Sequence, residues 1–231
     1  MVLGELEAIP PSVIIKSRIL NFWNKLITNS TPKLSFDVYK YMYNQYITDT
    51  YRSPWLNGVC QLLDECNFAH MWTNQIAHNS YSFKNIIKTI FYDNFKSKWL
   101  YQLQTSSKCH NYKLYKTKFE CEKYLISLPN DHRIILCKFR TTNHKLAVEL
   151  GRYSNVLRCQ RFCNICNVDT LGDEFHFIFE CPALNDIRLT YLDLQNGDTQ
   201  MLNDIMASDS VDYLRRLTKC ISIGLKRINN R

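Results

Sequence analysis

The side chains best suited to chemistry lie in one short stretch. "CNICNVDTLGDEFHFIFEC" runs from Cys163 to Cys181 and places three cysteines and one histidine within nineteen residues. Cys163 and Cys166 form a Cys-x2-Cys pair, whose sulfurs a tight turn aims at one point. His176 and Cys181 have four residues between them, which fits one helical turn or a close loop, and they supply a second pair. The spacer contains Asp169, Gly172 and Asp173, so it can fold back on itself. Three thiolates and an imidazole suit a tetrahedral zinc ion, and four protein ligands leave no position open for a catalytic water. The expected role is therefore structural.

Other readings of these cysteines carry less. A redox Cys-x2-Cys pair belongs beside a βαβ pattern, which this stretch lacks. Ordinary buried thiols prefer apolar neighbours, whereas Asn164, Asn167, Asp169 and Asp173 surround these. Cys159 is a rival ligand four positions upstream of Cys163. A second group (Cys60, Cys66, His70 and His78) sits among Leu62, Leu63 and Trp72 and reads as a packed helix. His110 and His132 have no nucleophile or carboxylate arrangement beside them, so they read as loop histidines.

The elements that must position the cluster read as helices. Residues 12–28 place Ile15, Ile19, Phe22, Trp23 and Leu26 at helical spacing. The run 31–51 alternates tyrosines as a strand does, yet its Tyr39/Tyr43/Ile47 repeat and its start after Thr31-Pro32 favour a helix. Ser53 followed by Pro54 reads as a cap and first turn. A long amphipathic stretch spans 82–104, and the polar, basic segment 105–118 reads as a hinge. Two helical stretches around "PND" lead to the cluster, "PALNDIRLTYLDL" follows it, a polar link surrounds Asn196-Gly197-Asp198, and a last helix is expected over 209–229. The fold class is mainly α, a helical domain with a small zinc-organised knuckle near the C-terminal third. The expected divisions are an N-terminal helical region over 1–104, a basic linker and helices over 105–150, the knuckle over 151–188 and C-terminal helices over 189–231.

Composition narrows the classes. The 231 residues are 45% hydrophobic and 22% charged, which is globular rather than disordered. Six glycines and six prolines are too few for a turn-rich sandwich. No run approaches the ~18 apolar residues of a membrane span. Glu5, Glu7 and two prolines occupy the start where a secretion signal needs a basic, then unbroken apolar, run. The expectation is an intracellular chain of the nucleus or cytoplasm, with ten cysteines serving as thiols or ligands rather than disulfides.

The residues around the cluster resemble a known family. "LGRYSNVLRCQRFCNICNVDTLGDEFHFIFECPALNDIR" is similar to the zinc-binding segment at the C-terminal end of reverse transcriptases from non-LTR (LINE-type) retrotransposons. The shared features are Gly151-Arg152-Tyr153, Arg158 and Arg161 ahead of Cys163 and Cys166, Asp173-Glu174 before His176-Phe177, and Cys181-Pro182 leading to Arg188. Leu157 stands where the family usually has proline. The opening "GELEAIP" and "RILNFW" look like the segment after the polymerase thumb, with Glu7 and Ala8 departing from the commoner Gly-Arg. The chain contains no Asp-Asp, so the carboxylate pair that a two-metal polymerase needs is missing. The resemblance thus implies a post-polymerase tail lacking the polymerase domain.

Charge suggests the partner. The formal net charge is +8, and from Arg133 to Arg161 there are seven basic residues against Glu149. Such a run can neutralise phosphates and bind in a salt-dependent way. Arg152, Arg158 and Arg161 are the expected phosphate contacts, and Tyr153 the expected stacking residue. The reading is a non-enzymatic, zinc-stabilised module for RNA or DNA, single-stranded or in a hybrid, with neither a membrane nor a small-molecule substrate as partner. A helical protein-interaction scaffold with structural zinc and a nonfunctional retroelement remnant are the alternatives.

Overall fold

The structure, a computed structural model, describes residues 1–28, 33–166, 168–194 and 197–230. Thr31-Pro32, Asn167 and Asn196, all named in the sequence reading, lie outside the described residues. The rest is mainly α, with two isolated antiparallel bridges, Leu6 to Cys121 and Phe162 to Leu171, as the extended pairings among the described residues. The α-helices begin with α1 (Val2–Glu5), α2 (Pro11–Thr28), α3 (Leu34–Ile47), α4 (Pro54–Glu65), α5 (Ala69–Asn74) and α6 (Ser80–Thr105). They continue with α7 (Tyr112–Tyr115), α8 (Tyr124–Ser127), α9 (Asn130–Arg140), α10 (Ala147–Tyr153), α11 (Asn185–Tyr191), α12 (Thr199–Met206) and α13 (Val211–Asn229). None is long and apolar enough to cross a membrane, among the described residues.

The chain divides into two compact units, one made of 1–8 with 99–231 and the other of 9–98. The second unit has its own core, in which Leu20, Trp23, Leu56, Leu63, Met71 and Ile87 are fully covered. Trp23 Nε1 donates to the Tyr39 hydroxyl at 2.9 Å, and burial pushes that phenol up to about 12. Ser53 caps α4 through Leu56 N, with Pro54 in the first turn, as its sequence implies. Helix α2 buries Trp23 and Leu26 and packs Ile19 against the core, as the spacing suggests, but its inward face is shifted away from Ile15 and Phe22. Val13, Ser17, Leu20 and Asn24 are buried, while Ile15 and Phe22 are more than half exposed. The helical spacing of apolar positions identified the helix, yet the buried face also includes Ser17, whose hydroxyl donates to the Val13 carbonyl at 3.0 Å.

The first unit is organised by a buried ion network and by the packing of α9 against α13. Arg140, fully buried, donates Nε to Glu5 at 3.2 Å, NH2 to Glu122 at 2.8 Å and NH1 to the Met206 carbonyl. Tyr124 donates to Glu5 at 2.5 Å, so the first turn of the chain is held by residues more than a hundred positions away. The segment 105–118 is no hinge. Asn111, Tyr112, Tyr115 and Lys116 are buried there, with the Tyr115 hydroxyl donating to the Arg140 carbonyl at 2.7 Å. Part of its polarity serves buried hydrogen bonds, while Thr105, Ser106, Ser107, His110, Thr117 and Lys118 face solvent. The stretch 132–153 is interrupted at 141–146, where Thr142 has φ 54°. Helix α12, capped by Asp198 through Met201 N at 2.7 Å, was not separated from the polar link by sequence.

Candidate metal centre

Three pieces of backbone build the cluster. The first is a knuckle closed by the bridge from Phe162 to Leu171, in which Cys163 N donates to Thr170 O and Gly172 N to Arg161 O, both at 2.9 Å. Gly172 is required by this closure. A Cβ there would lie 2.8 Å from Ala147 Cβ and 2.9 Å from Cys163 Cα. The second piece is a single π-helical turn, His176–Glu180, extended by Cys181 N donating to His176 O at 2.8 Å. In an α-helix, residues five apart point about 140° away from each other. The wider turn carries His176 and Cys181 onto one side, and such π turns recur at functional sites. The third piece is α10, which receives the knuckle through Val148 N and Gly172 O at 3.0 Å.

These pieces bring the four expected ligands together. One donor atom from each of Cys163, Cys166, His176 and Cys181 lies within 4.8 Å of every other, an arrangement that could hold a metal ion. Cys163 Sγ is 4.0 Å from Cys181 Sγ, and Cys166 Sγ is 3.3 Å from His176 Nε2. Cys159 is exposed and stands outside this group, as do Cys60, Cys66, His70 and His78. Burial, then the neighbouring sulfurs, push the Cys181 thiol up to about 12, and burial likewise raises Cys166. Without a cation these sulfurs hold their protons at neutral pH. A bound metal would displace them.

The surroundings orient the ligands. His176 Nε2 faces the sulfurs because Nδ1 is engaged on its other side by Thr170 Oγ1 at 3.1 Å and Glu180 Oε2 at 3.2 Å. Partners of this kind fix a ligand histidine's tautomer and ring plane. Asp173 accepts His176 N at 3.1 Å and Arg158 NH2 at 3.0 Å. Buried Glu174 accepts His144 Nε2 at 2.8 Å and the Asn111 amide. Burial raises the Glu174 carboxyl, but those bonds outweigh it and hold the group below its ordinary value. Arg188, 3% exposed, donates to the Cys181 carbonyl at 2.6 Å and has no carboxylate partner among the described residues. A buried guanidinium in that position needs compensating negative charge, which metal-bound thiolates would supply. Arg188 belongs to the pattern the sequence shows after Cys181-Pro182, whereas His144, Asn111 and Glu180 were missed as supporting residues, because nothing in local spacing marks the first two. The Asp173-Glu174 pair was the available signal for them.

The residues expected to contact phosphates are largely occupied within the chain. Arg152 pairs with Glu149 at 3.0 Å and stacks on Tyr153 at 4.4 Å. Arg158 pairs with Asp173. Arg161 donates to the carbonyls of Val156 at 2.9 Å and Val148 at 2.8 Å. Its stem crosses Gly151, where a Cβ would sit 2.6 Å from Arg161 Cγ, so this arginine braces the knuckle. Arg133 and Arg140 are also bonded internally, which leaves Lys138 and Lys145 as the exposed cations of the basic run. Tyr153 is 72% exposed, with Arg152 over one face of its ring. Comparison of the chain with protein-family models, with curated proteins and with solved structures gives no match.

Proposed function

We propose that the chain is a zinc-stabilised nucleic-acid-binding module with no catalysis of its own, related to the post-polymerase tail of a non-LTR reverse transcriptase and working in the nucleus or cytoplasm. The observation that carries this reading is the convergence of a closed Cys3His set within 4.8 Å. The donor set fits zinc. Thiolate bonds of about 2.3 Å in tetrahedral geometry separate sulfurs by about 3.8 Å, and Cys163 and Cys181 stand 4.0 Å apart. With four protein donors in place the ion would serve as a structural clamp, tying the knuckle to the π turn. Cys163, Cys166 and Cys181 would bind as thiolates and His176 through Nε2. The net charge of +8, the exposed Tyr153 and the Gly-Arg-Tyr to Cys-Pro pattern support the nucleic-acid part.

The test is binding of labelled single-stranded RNA, single-stranded DNA and an RNA–DNA hybrid to the metal-loaded chain as salt is raised. The expected result is affinity that falls steeply with salt. Absent binding, or binding indifferent to salt, would reject the nucleic-acid reading. Alanine in place of Arg158 or Arg161 is a poor probe, because both hold the knuckle.

One observation favours a protein partner as a second reading. On α3, Leu34, Val38 and Tyr41 recur at i, i+4 and i+7 and are 80%, 47% and 67% exposed. An apolar stripe of that kind suits a helix-in-groove partner. Capture of a defined protein that is lost on Leu34→Glu with Val38→Glu, together with no nucleic-acid affinity, would favour the scaffold.

A further inference from the structure

The second unit carries cations of another kind. Helix α2 and residues 84–92 of α6 border a groove of about 290 Å3, lined by Ile9, Ile14, Arg18, Lys84, Lys88 and Tyr92 among others. No carboxylate lines it among the described residues. Arg18, Lys84 and Lys88 are exposed and have no hydrogen-bond or ion-pair partner among the described residues. The knuckle arginines and Lys16 behave differently. Arg152, Arg158 and Arg161 already have internal acceptors, and Lys16 is bound to Glu65 at 2.7 Å.

Three unneutralised charges beside a concave apolar floor cost the folded chain repulsion and return nothing internally. Lys84 and Lys88 follow one another after one helical turn, about 6 Å along the axis, and Arg18 faces them from α2 across the groove. A repeating anion with flat apolar faces fits this arrangement. Its phosphates meet the three cations, while Ile14, 45% exposed, offers apolar surface to bases. We infer that the groove between α2 and α6 is the phosphate-binding surface of the chain, and that it takes single-stranded nucleic acid. This inference rests on the nucleic-acid reading above and moves the main contacts away from the knuckle arginines.

The experiment uses the full, metal-loaded chain, labelled oligo-uridylate and the corresponding DNA strand, with fluorescence anisotropy read across a salt series. The variants are Arg18→Glu with Lys84→Glu and Lys88→Glu, and a milder Lys84→Gln with Lys88→Gln. All the substituted side chains are exposed, and circular dichroism with metal content checks that each variant folds. For a single strand each lost contact lowers the salt slope by about 0.7, so the triple change should lower it by about 2 and weaken binding on the order of tenfold or more at low salt. The milder pair should produce about two thirds of that slope change.

Binding by the parent chain with an unchanged slope in both variants would overturn the groove and leave the nucleic-acid reading standing. No binding by the parent chain to either oligonucleotide would overturn that reading and the groove's occupant with it. Polyglutamate bound as tightly as the oligonucleotides, and lost with the same variants, would assign the groove to an acidic protein and overturn the proposal.

Discussion

Replacing Glu5 by Gln removes one carboxylate from the buried network and leaves its shape. Glu5 and Arg140 are both fully buried, with Oε2 3.2 Å from Nε and Oε1 3.3 Å from NH2. At an effective dielectric of 20, a 3.2 Å pair interacts by about 5 kcal/mol. Two features reduce the net loss. Glutamine still accepts a hydrogen bond, and Glu122 continues to neutralise Arg140 from 2.8 Å. Removing one partner of a buried pair costs roughly 3–5 kcal/mol, so the expected loss is near the lower end, about 3 kcal/mol. That is a large share of the roughly 5–15 kcal/mol of a typical domain. Native-state hydrogen exchange at the α9 amides reads the first unit directly, and its opening free energy should fall by this amount. Glu5→Leu combined with Arg140→Met should cost much less than the two single changes summed, because an apolar pair removes both charges together. A loss under about 1 kcal/mol for Glu5→Gln, or strictly additive single changes, would refute the claim that this network anchors the start of the chain.

Further expectations follow from the knuckle and from α13. Gly172→Ala should cost about 1–3 kcal/mol and weaken metal affinity, since its methyl meets Cys163 and Ala147 backbone-bound atoms that cannot retreat; a metal competition titration matching the parent chain would count against this. Arg188→Gln should weaken cobalt or zinc binding more than Arg188→Lys does, because lysine keeps the charge beside the sulfurs; equal affinities in the two variants would dismiss the compensating role. Arg227 holds the Asp186 carboxyl down to about 2 by a hydrogen bond, 2.6 Å from NH1 to Oδ1. A depressed carboxylate stabilises the folded chain above its ordinary value near 4 and loses that contribution as pH falls to about 2. Carboxyl NMR of Arg227→Gln should return the Asp186 midpoint toward 4, and an unchanged midpoint would contradict the assignment.

Local pattern carried part of this architecture. The helical class, the Ser53-Pro54 start of α4 and the span of α13 follow from periodicity and capping, which act over a few residues. The four clustered Cys and His residues were legible because metal-binding spacing is also local, two short-range pairs joined by a loop. What escaped depends on partners far away in the sequence. Arg140 reads as one more surface cation until Glu5, 135 positions earlier, closes on it. Arg158 and Arg161 read as phosphate contacts because a sequence shows charge and hides its acceptors. Beside Leu20, Trp23 and Leu26, the inward face of α2 includes Ser17 and Asn24, polar residues that an apolar count places outside.

Metal content of the purified chain decides the central claim most directly. Inductively coupled plasma and native mass spectrometry of the parent chain and of Cys166→Ser are read side by side. One zinc per chain, lost on the substitution, is the predicted result. Metal-free protein in both, folded and with Cys163, Cys166 and Cys181 all alkylated at the rate of exposed Cys159, would contradict it.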